Sequence, residues 1–180
     1  VIENGRYGVH LMYCDGALIE RNVVRNNSVG VYTMYSNHIT LRGNEIRGQW
    51  GPSGYALGFK DTDFVDTHEN VLVDNRGGIF IDGMPFSTVG FSRIERNIVA
   101  FNDVGVVMMP AVRGNVLHNN TFWENVEQVA FLGGSASGKN EWHGNFWSDY
   151  EGFDRDGDGV GDRPYLSERG FESLLDREGL

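Results

Sequence analysis

The chain has 180 residues, and its 15 basic and 25 acidic side chains give a formal net charge of −10. The length fits one domain, and a hydrophobic content of 40% is enough to form a core. The negative charge argues against a nucleic-acid partner or an anionic membrane surface. One cysteine excludes an internal disulfide framework, and we expect no membrane-spanning segment because no apolar run approaches the roughly 20 residues required.

A repeated pattern extends over residues 1–145. Short runs of alternating residues begin at Gly8, Gly30, Gly54, Gly78 and Gly105. A second signature follows these runs and ends at Asn22, Asn44, Asn70, Asn97, Asn120 and Asn145. Alternation with period two predicts strands, and the Gly, Asn, Asp and Ser residues between the strands predict turns. We therefore predict an all-β, right-handed parallel β-helix, a solenoid with coils of about 22–27 residues.

The asparagines that end the second signature predict a ladder of side-chain hydrogen bonds between stacked coils. A second set of asparagines follows four or five residues later, at Asn26, Asn75, Asn102 and Asn125. Because the sequence begins without methionine and within the repeat, we expect the C-terminal part of a longer solenoid with a targeting signal upstream.

The alternation also assigns faces. Apolar side chains such as Val31, Leu57 and Tyr55 are predicted to point into the core. Three rows are predicted to point outward. The rows are His10, Tyr32, Ala56, Phe80 and Val107; then Met12, Met34, Gly58, Asp82 and Met109; then Glu20, Arg42, His68, Glu95, His118 and His143.

The first two coils carry a candidate copper site. Met12 and Met34 are predicted to lie on adjacent coils of one outward row, with His10 on the same face and Cys14 nearby. Thioether and imidazole groups together suit Cu(I). The same residues also suit a partner surface, because methionine is common at adaptable interfaces.

The third outward row carries a second candidate, for copper or zinc. It consists of His68, Glu95, His118 and His143. Imidazoles on neighbouring coils beside a carboxylate are suitable ligands. A solvated polar face remains the alternative, because Glu20 and Arg42 occupy the same row.

Residues 146–180 are predicted to form a tail that caps the solenoid, with a short helix at Phe171–Arg177. The tail contains a calcium-like acidic loop, whose candidate ligands are Asp154, Asp156, Asp158, the Val160 carbonyl and Asp162. Tyr165 stands where an EF-hand requires a bidentate glutamate, so a structural calcium loop is favoured over a sensor.

An enzyme is the weaker interpretation. Parallel β-helices often handle polysaccharides, and Asp61, Asp63 and Asp66 could line a sugar groove. No catalytic pair is defined, because aspartate also forms turns. We therefore predict no catalytic residues, and keep a carbohydrate-binding or carbohydrate-active β-helix and a calcium-binding adhesion module as alternatives.

Several segments together resemble the NosD family. They are the paired rungs Gly8–Cys14 and Gly30–Ser36, the run Glu127–Val129, the tail segment Gly144–Tyr150, the acidic loop Asp154–Asp162 and the run Arg163–Tyr165. The duplicated Met-Tyr rungs and the Glu-Gln-Val run are the more specific of these features.

The resemblance implies a periplasmic, non-hydrolytic β-helix of the carbohydrate-binding and sugar-hydrolase type. It implies a role in maturing the copper centres of nitrous oxide reductase, with that reductase as client. The implied partners are an ABC transporter, with NosF as ATPase and NosY as membrane subunit, and the copper chaperone NosL. The resemblance does not identify the copper ligands.

Overall fold

The computed structural model describes residues 1–133 and 140–167, and the regular structure in these residues consists of 18 β-strands. The strands form three parallel sheets of six strands each. Every coil contributes one strand to each sheet, so the chain winds through about six coils. This architecture confirms the predicted parallel β-solenoid.

The strands follow one another in groups of three. The first three coils contain β1 Tyr7–Met12, β2 Asp15–Glu20, β3 Val23–Arg25, β4 Val29–Met34, β5 Asn37–Arg42, β6 Glu45–Arg47, β7 Tyr55–Lys60, β8 Asp63–His68 and β9 Val71–Val73. The last three contain β10 Gly77–Asp82, β11 Ser92–Glu95, β12 Ile98–Ala100, β13 Val104–Met108, β14 Asn115–His118, β15 Thr121–Trp123, β16 Glu127–Phe131, β17 Glu141–His143 and β18 Phe146–Trp147.

The core lies inside the coils and receives side chains from all three sheets. In the third coil, Leu57, Val65 and Leu72 come from successive strands and are fully buried. Equivalent residues of neighbouring coils stack on them, because parallel strands lie about 4.8 Å apart. This burial is the main favourable term for the fold.

The predicted asparagine ladder is confirmed between the second and third sheets. In each step the side-chain oxygen of one asparagine accepts hydrogen bonds from the preceding asparagine. Asn44 donates its backbone N–H to Asn70 Oδ1 at 3.0 Å and its side-chain amide to the same oxygen at 2.9 Å. The ladder runs through Asn22, Asn44, Asn70, Asn97, Asn120 and Asn145.

The second set of asparagines also forms a ladder, but Asn26 is not one of its members. Asn26 is exposed and has a φ of 57°, whereas its neighbour Asn27 is buried and occupies the ladder position. The next position of this ladder is occupied by Gln49, whose side-chain oxygen takes the place of an asparagine oxygen. The ladder consists of Asn27, Gln49, Asn75, Asn102 and Asn125.

The third coil is offset from the predicted alignment. The sequence predicted Ala56 opposite Tyr32 and Gly58 opposite Met34. In the structure Tyr32 pairs with Gly58 and Met34 pairs with Lys60, while Ala56 is buried. The row that begins with the two methionines therefore continues with a charged residue.

The offset arises in the turn before β7. Gly54 has a φ of 62° and lies in that turn, so it is not equivalent to the glycines at the start of the other runs. Tyr55 consequently does not enter the core as predicted. Its ring stacks on Phe80, with ring centres 4.5 Å apart.

Contacts divide the chain into one unit over residues 1–149 and another over residues 150–180. The first unit includes β18, so the sheets continue to Trp147. The segment predicted as a helix, Phe171–Arg177, lies outside the described residues. Residues 1–133 and 140–167 contain no helix that is long and apolar enough to cross a membrane.

Candidate functional site

The two methionines of the first candidate site are direct neighbours. Met12 ends β1 and Met34 ends β4, and the register pairs the two residues across the parallel strands. Met12 is 46% exposed and Met34 is half-buried. Two thioethers are thus displayed on one outward face of the first sheet.

His10 lies on the same strand and face as Met12, opposite Tyr32. Its imidazole stacks on Tyr7, with ring centres 4.7 Å apart, and lies 6.1 Å from the Tyr32 ring. Stacking on Tyr7 involves the face of the imidazole, whereas an imidazole binds metal through a nitrogen at its edge.

Cys14 differs from the other three residues. It packs against the core, and its thiol lies 3.7 Å from the carbonyl oxygen of Met12. Its backbone N–H donates to the hydroxyl of Ser36, the equivalent residue of the next coil. Cys14 therefore belongs to the turn, and the structure does not bring its side chain onto the outward row of Met12 and Met34.

The row continues from Met34 to Lys60 and then to Asp82. Lys60 Nζ lies 2.6 Å from Asp82 Oδ2, and both side chains are about one third exposed. The hydrogen bond to Asp82, with the nearby charges of Asp82 and Asp61, raises the pKa of Lys60 despite an opposing effect of burial. Lys60 is therefore a stable cation beside the thioether pair.

The second candidate row has the predicted register. Arg42, His68, Glu95, His118 and His143 are paired strand by strand on the second sheet. The structure thus places all four predicted ligands in one column.

Within this column the two central residues already bind each other. His118 Nε2 contacts Glu95 Oε2, and His118 Nδ1 is 3.3 Å from the side-chain amide of Asn119. The other oxygen of Glu95 lies 2.7 Å from Arg96. A metal at His118 would have to displace one of these partners.

Burial alone would raise the pKa of Glu95. The hydrogen bond from His118 and the positive charges of Arg96 and His118 outweigh that effect and lower its pKa. Glu95 is consequently held as a carboxylate at neutral pH.

The outer histidines of the column are His143 and His68. His143 stacks on His118 with ring centres 5.0 Å apart. His68 Nδ1 is buried without a hydrogen-bond partner, and the nearest carboxylate oxygen, from Glu69, is 3.9 Å away. A buried ring nitrogen of this kind calls for an ion or water that satisfies it.

The acidic loop brings three predicted calcium ligands together. One carboxylate oxygen each from Asp154, Asp156 and Asp158 lies within 4.8 Å of the others. In residues 1–133 and 140–167 this is the one such group of three or more His, Cys, Asp or Glu side chains. Val160 and Asp162 complete the predicted set in the same loop.

Backbone hydrogen bonds shape the loop. The Asp154 carboxylate accepts from the N–H groups of Gly159, Gly157 and Asp158, which lower its pKa. Asp162 Oδ2 accepts from the N–H of Arg155. The bonds to Asp154 stabilise its carboxylate in the charged form, which a hard cation requires.

The aspartates of the predicted sugar groove have structural partners. Asp63 is buried, and its two oxygens lie 2.9 and 3.1 Å from the backbone nitrogen of Ser87. Asp66 lies 3.5 Å from Arg93. These contacts account for both residues without acid–base chemistry.

Two side-chain arrangements on the surface were not predicted from the sequence. Tyr13 and Tyr35, the residues after the two methionines, stack with ring centres 5.2 Å apart. His38 lies 2.7 Å from Asp15 and stacks on Phe64. The repeated Met-Tyr pair could have indicated the first feature, whereas the second depends on register between coils.

The fold and these faces define a class of protein: a parallel β-solenoid that displays thioether, imidazole and carboxylate groups as candidate metal ligands. Residues 1–152 match the family model described as "Periplasmic copper-binding protein (NosD)". The chain belongs to this NosD family.

Two curated relatives support the assignment. Each is named "Probable ABC transporter binding protein NosD". The chain is 31% identical to the protein of Pseudomonas aeruginosa and 30% identical to that of Stutzerimonas stutzeri, over 157 residues and 84% of this chain. These alignments cover 32% and 31% of the relatives, so the chain spans about a third of their length.

Proposed function

We propose that this chain is part of a periplasmic accessory protein that binds Cu(I) through His10, Met12 and Met34. The observation that carries the proposal is the direct pairing of Met12 with Met34 on an outward face. Membership of a family described as copper-binding and periplasmic supports it.

The donor set fits Cu(I) chemically. Two thioethers and one neutral imidazole are soft or intermediate ligands, and they add no negative charge that would favour a divalent ion. Adjacent parallel strands are about 4.8 Å apart, so flexible methionine side chains on paired residues can converge on one ion. Cys14 was predicted as a fourth ligand, and its packing against the core leaves the proposal on the other three residues.

The proposed role is to supply copper for assembly of the nitrous oxide reductase copper centres. The relatives' name, ABC transporter binding protein, supports a transporter partner. We propose the NosF and NosY subunits as that transporter, NosL as copper donor and the reductase as client. In this role the chain binds and presents metal and performs no catalysis.

The test is anaerobic Cu(I) titration against a chromophoric chelator, with Ca²⁺ present throughout. Wild type is compared with the Met12→Leu/Met34→Leu variant, which keeps apolar volume and removes both thioethers. Met109→Leu is the matched control, because Met109 follows Asp82 in the same row. We expect stoichiometric binding in wild type and the control, with at least a tenfold loss in the double variant. Equal binding in all three proteins would exclude the pair as ligands.

The column of His68, Glu95, His118 and His143 is the second proposed metal site, for copper or zinc. The orphan ring nitrogen of His68 supports it. The Glu95–His118 contact opposes it, because a metal would have to replace that hydrogen bond. Retained copper binding in the methionine double variant, lost on His68→Ala/His143→Ala, would favour this column.

Carbohydrate binding is the alternative function, and aromatic rings on the first sheet support it. The Tyr32 ring covers Gly58, and the Tyr55 ring lies over Gly77 and stacks on Phe80. Flat aromatic faces of this kind can also support a sugar ring. Saturable oligosaccharide binding that does not change in the Met12→Leu/Met34→Leu variant would favour that function, whereas Ca²⁺ binding without copper preference would favour an adhesion module.

A further inference from the structure

Lys60 stands beside the proposed copper ligands, at a place where the sequence predicted a glycine. The register pairs Met34 with Lys60, and Lys60 with Asp82. We propose that Lys60 is a built-in cation that makes this row selective for a monovalent soft metal over divalent metals. The inference rests on the proposed function and concerns the specificity of the same site.

Two carboxylates lie near Lys60. Asp82 Oδ2 is 2.6 Å from Lys60 Nζ. The Asp61 carboxylate lies against Gly83, and a Cβ atom added to Gly83 would overlap that carboxylate. The local formal charge of Lys60, Asp61 and Asp82 is therefore −1.

Without the ammonium, Asp82 in the same row and Asp61 in the turn after β7 would be two uncompensated carboxylates near the thioethers. Carboxylates bind divalent ions such as Zn²⁺ at about 2.0–2.2 Å. Lys60 fills the place of such an ion by satisfying Asp82 with its own charge. Because a lysine ammonium is protonated at neutral pH, this protection persists under physiological conditions.

The same ammonium reduces the attraction that the two carboxylates exert on a metal at the thioether pair, so its effect is measured relative to the site without it. Coulomb energy scales with the charge of the ion, so a divalent ion is penalised twice as strongly as Cu(I). At about 6 Å in a water-like dielectric, one ammonium weakens binding about threefold for a monovalent ion and about tenfold for a divalent ion. Neutral thioethers offer a divalent ion little compensation.

The experiment measures Cu(I), Ag(I) and Zn(II) affinities at low ionic strength, where screening is weak. It uses the full chain, with Ca²⁺ present, and compares wild type with Lys60→Gln, Lys60→Arg and Lys60→Gln/Asp82→Asn. All variants share the acidic loop and the histidine column, so differences between them isolate Lys60. Circular dichroism confirms that each variant is folded.

We expect Lys60→Gln to bind Zn(II) about tenfold more tightly and Cu(I) about threefold more tightly than wild type. Lys60→Arg, the matched control that keeps the charge, should behave as wild type. The double variant should lose the gain in Zn(II) affinity, because one of the two carboxylates is gone.

Unchanged Zn(II) affinity in Lys60→Gln would overturn the inference, as would an equal gain for Zn(II) and Cu(I) or the same gain in Lys60→Arg. If wild type binds neither Cu(I) nor Ag(I), the proposed copper function fails on its own. The Zn(II) comparison between Lys60→Gln and Lys60→Arg then still decides whether Lys60 excludes divalent ions.

Discussion

Replacing a central member of the asparagine ladder should destabilise the solenoid more than replacing its first member. Asn70 is fully buried, and its side-chain oxygen accepts from the backbone N–H and side-chain amide of Asn44. Its own amide donates to the carbonyl oxygens of Leu41 and His68 and to Asn97 Oδ1. Asn70→Ala removes all five bonds and leaves the buried N–H of Asn44 without a partner.

The expected loss of stability follows mainly from the unpaired N–H of Asn44. A buried donor left unsatisfied costs about 1–3 kcal/mol, and each lost hydrogen bond adds about 1 kcal/mol or less. We expect Asn70→Ala to lower the free energy of unfolding by about 3 kcal/mol. For a chain of this size the corresponding decrease in Tm is about 6–12 °C.

Asn22→Ala is the matched control. Asn22 is half-buried, and its side chain donates to Glu20 and Asn44. Its removal should cost about 1 kcal/mol and lower the Tm by about 2–4 °C. Thermal unfolding followed by circular dichroism and calorimetry compares the two variants at the same pH. Equal decreases in Tm would refute the reasoning that ladder bonds in the centre are worth more.

Three further results are expected. Gly58→Ala should lower stability by about 1–3 kcal/mol in thermal unfolding, because the new methyl group overlaps the Tyr32 ring; an unchanged Tm would show that the ring moves without cost. Glu95→Gln should destabilise the chain at neutral pH. The lowered pKa of Glu95 contributes stability that is fully present above its unfolded value of about 4.3 and is lost as the pH falls through the lowered folded pKa. The difference from wild type should therefore shrink with acidification, and a constant difference would contradict the ion-pair argument. Asp156→Asn should weaken Ca²⁺ binding in isothermal titration, and wild-type protein that binds no Ca²⁺ would remove the calcium prediction.

Much of the fold could be predicted from the sequence because the coil is a repeated local pattern. Alternation with period two defines which side chains enter the core, and an asparagine at a fixed place in each coil defines the turn ladder. The prediction failed where the repeat length changed. The turn containing Gly54 lengthens the connection before β7 and shifts the pairing of β7 with β4.

Describing the candidate site required both the sequence and the tertiary structure. His10, Met12 and Met34 could be grouped from sequence, because two coils of equal length place their residues in register. Lys60 could not be grouped with them, because its position beside Met34 follows from the longer turn before β7. Likewise, the contact of His118 with Glu95 and the inward packing of Cys14 are decided by side-chain directions.

The sequence by itself determined the solenoid and most of the residue types in its outward rows, because these follow from local periodicity. Only the tertiary structure decided which side chains of β4 and β7 are partners, since the longer turn before β7 changes this pairing while later strands keep the predicted register. That shift places a lysine ammonium next to two thioethers, and the electrostatic character of the site follows from this one change in register.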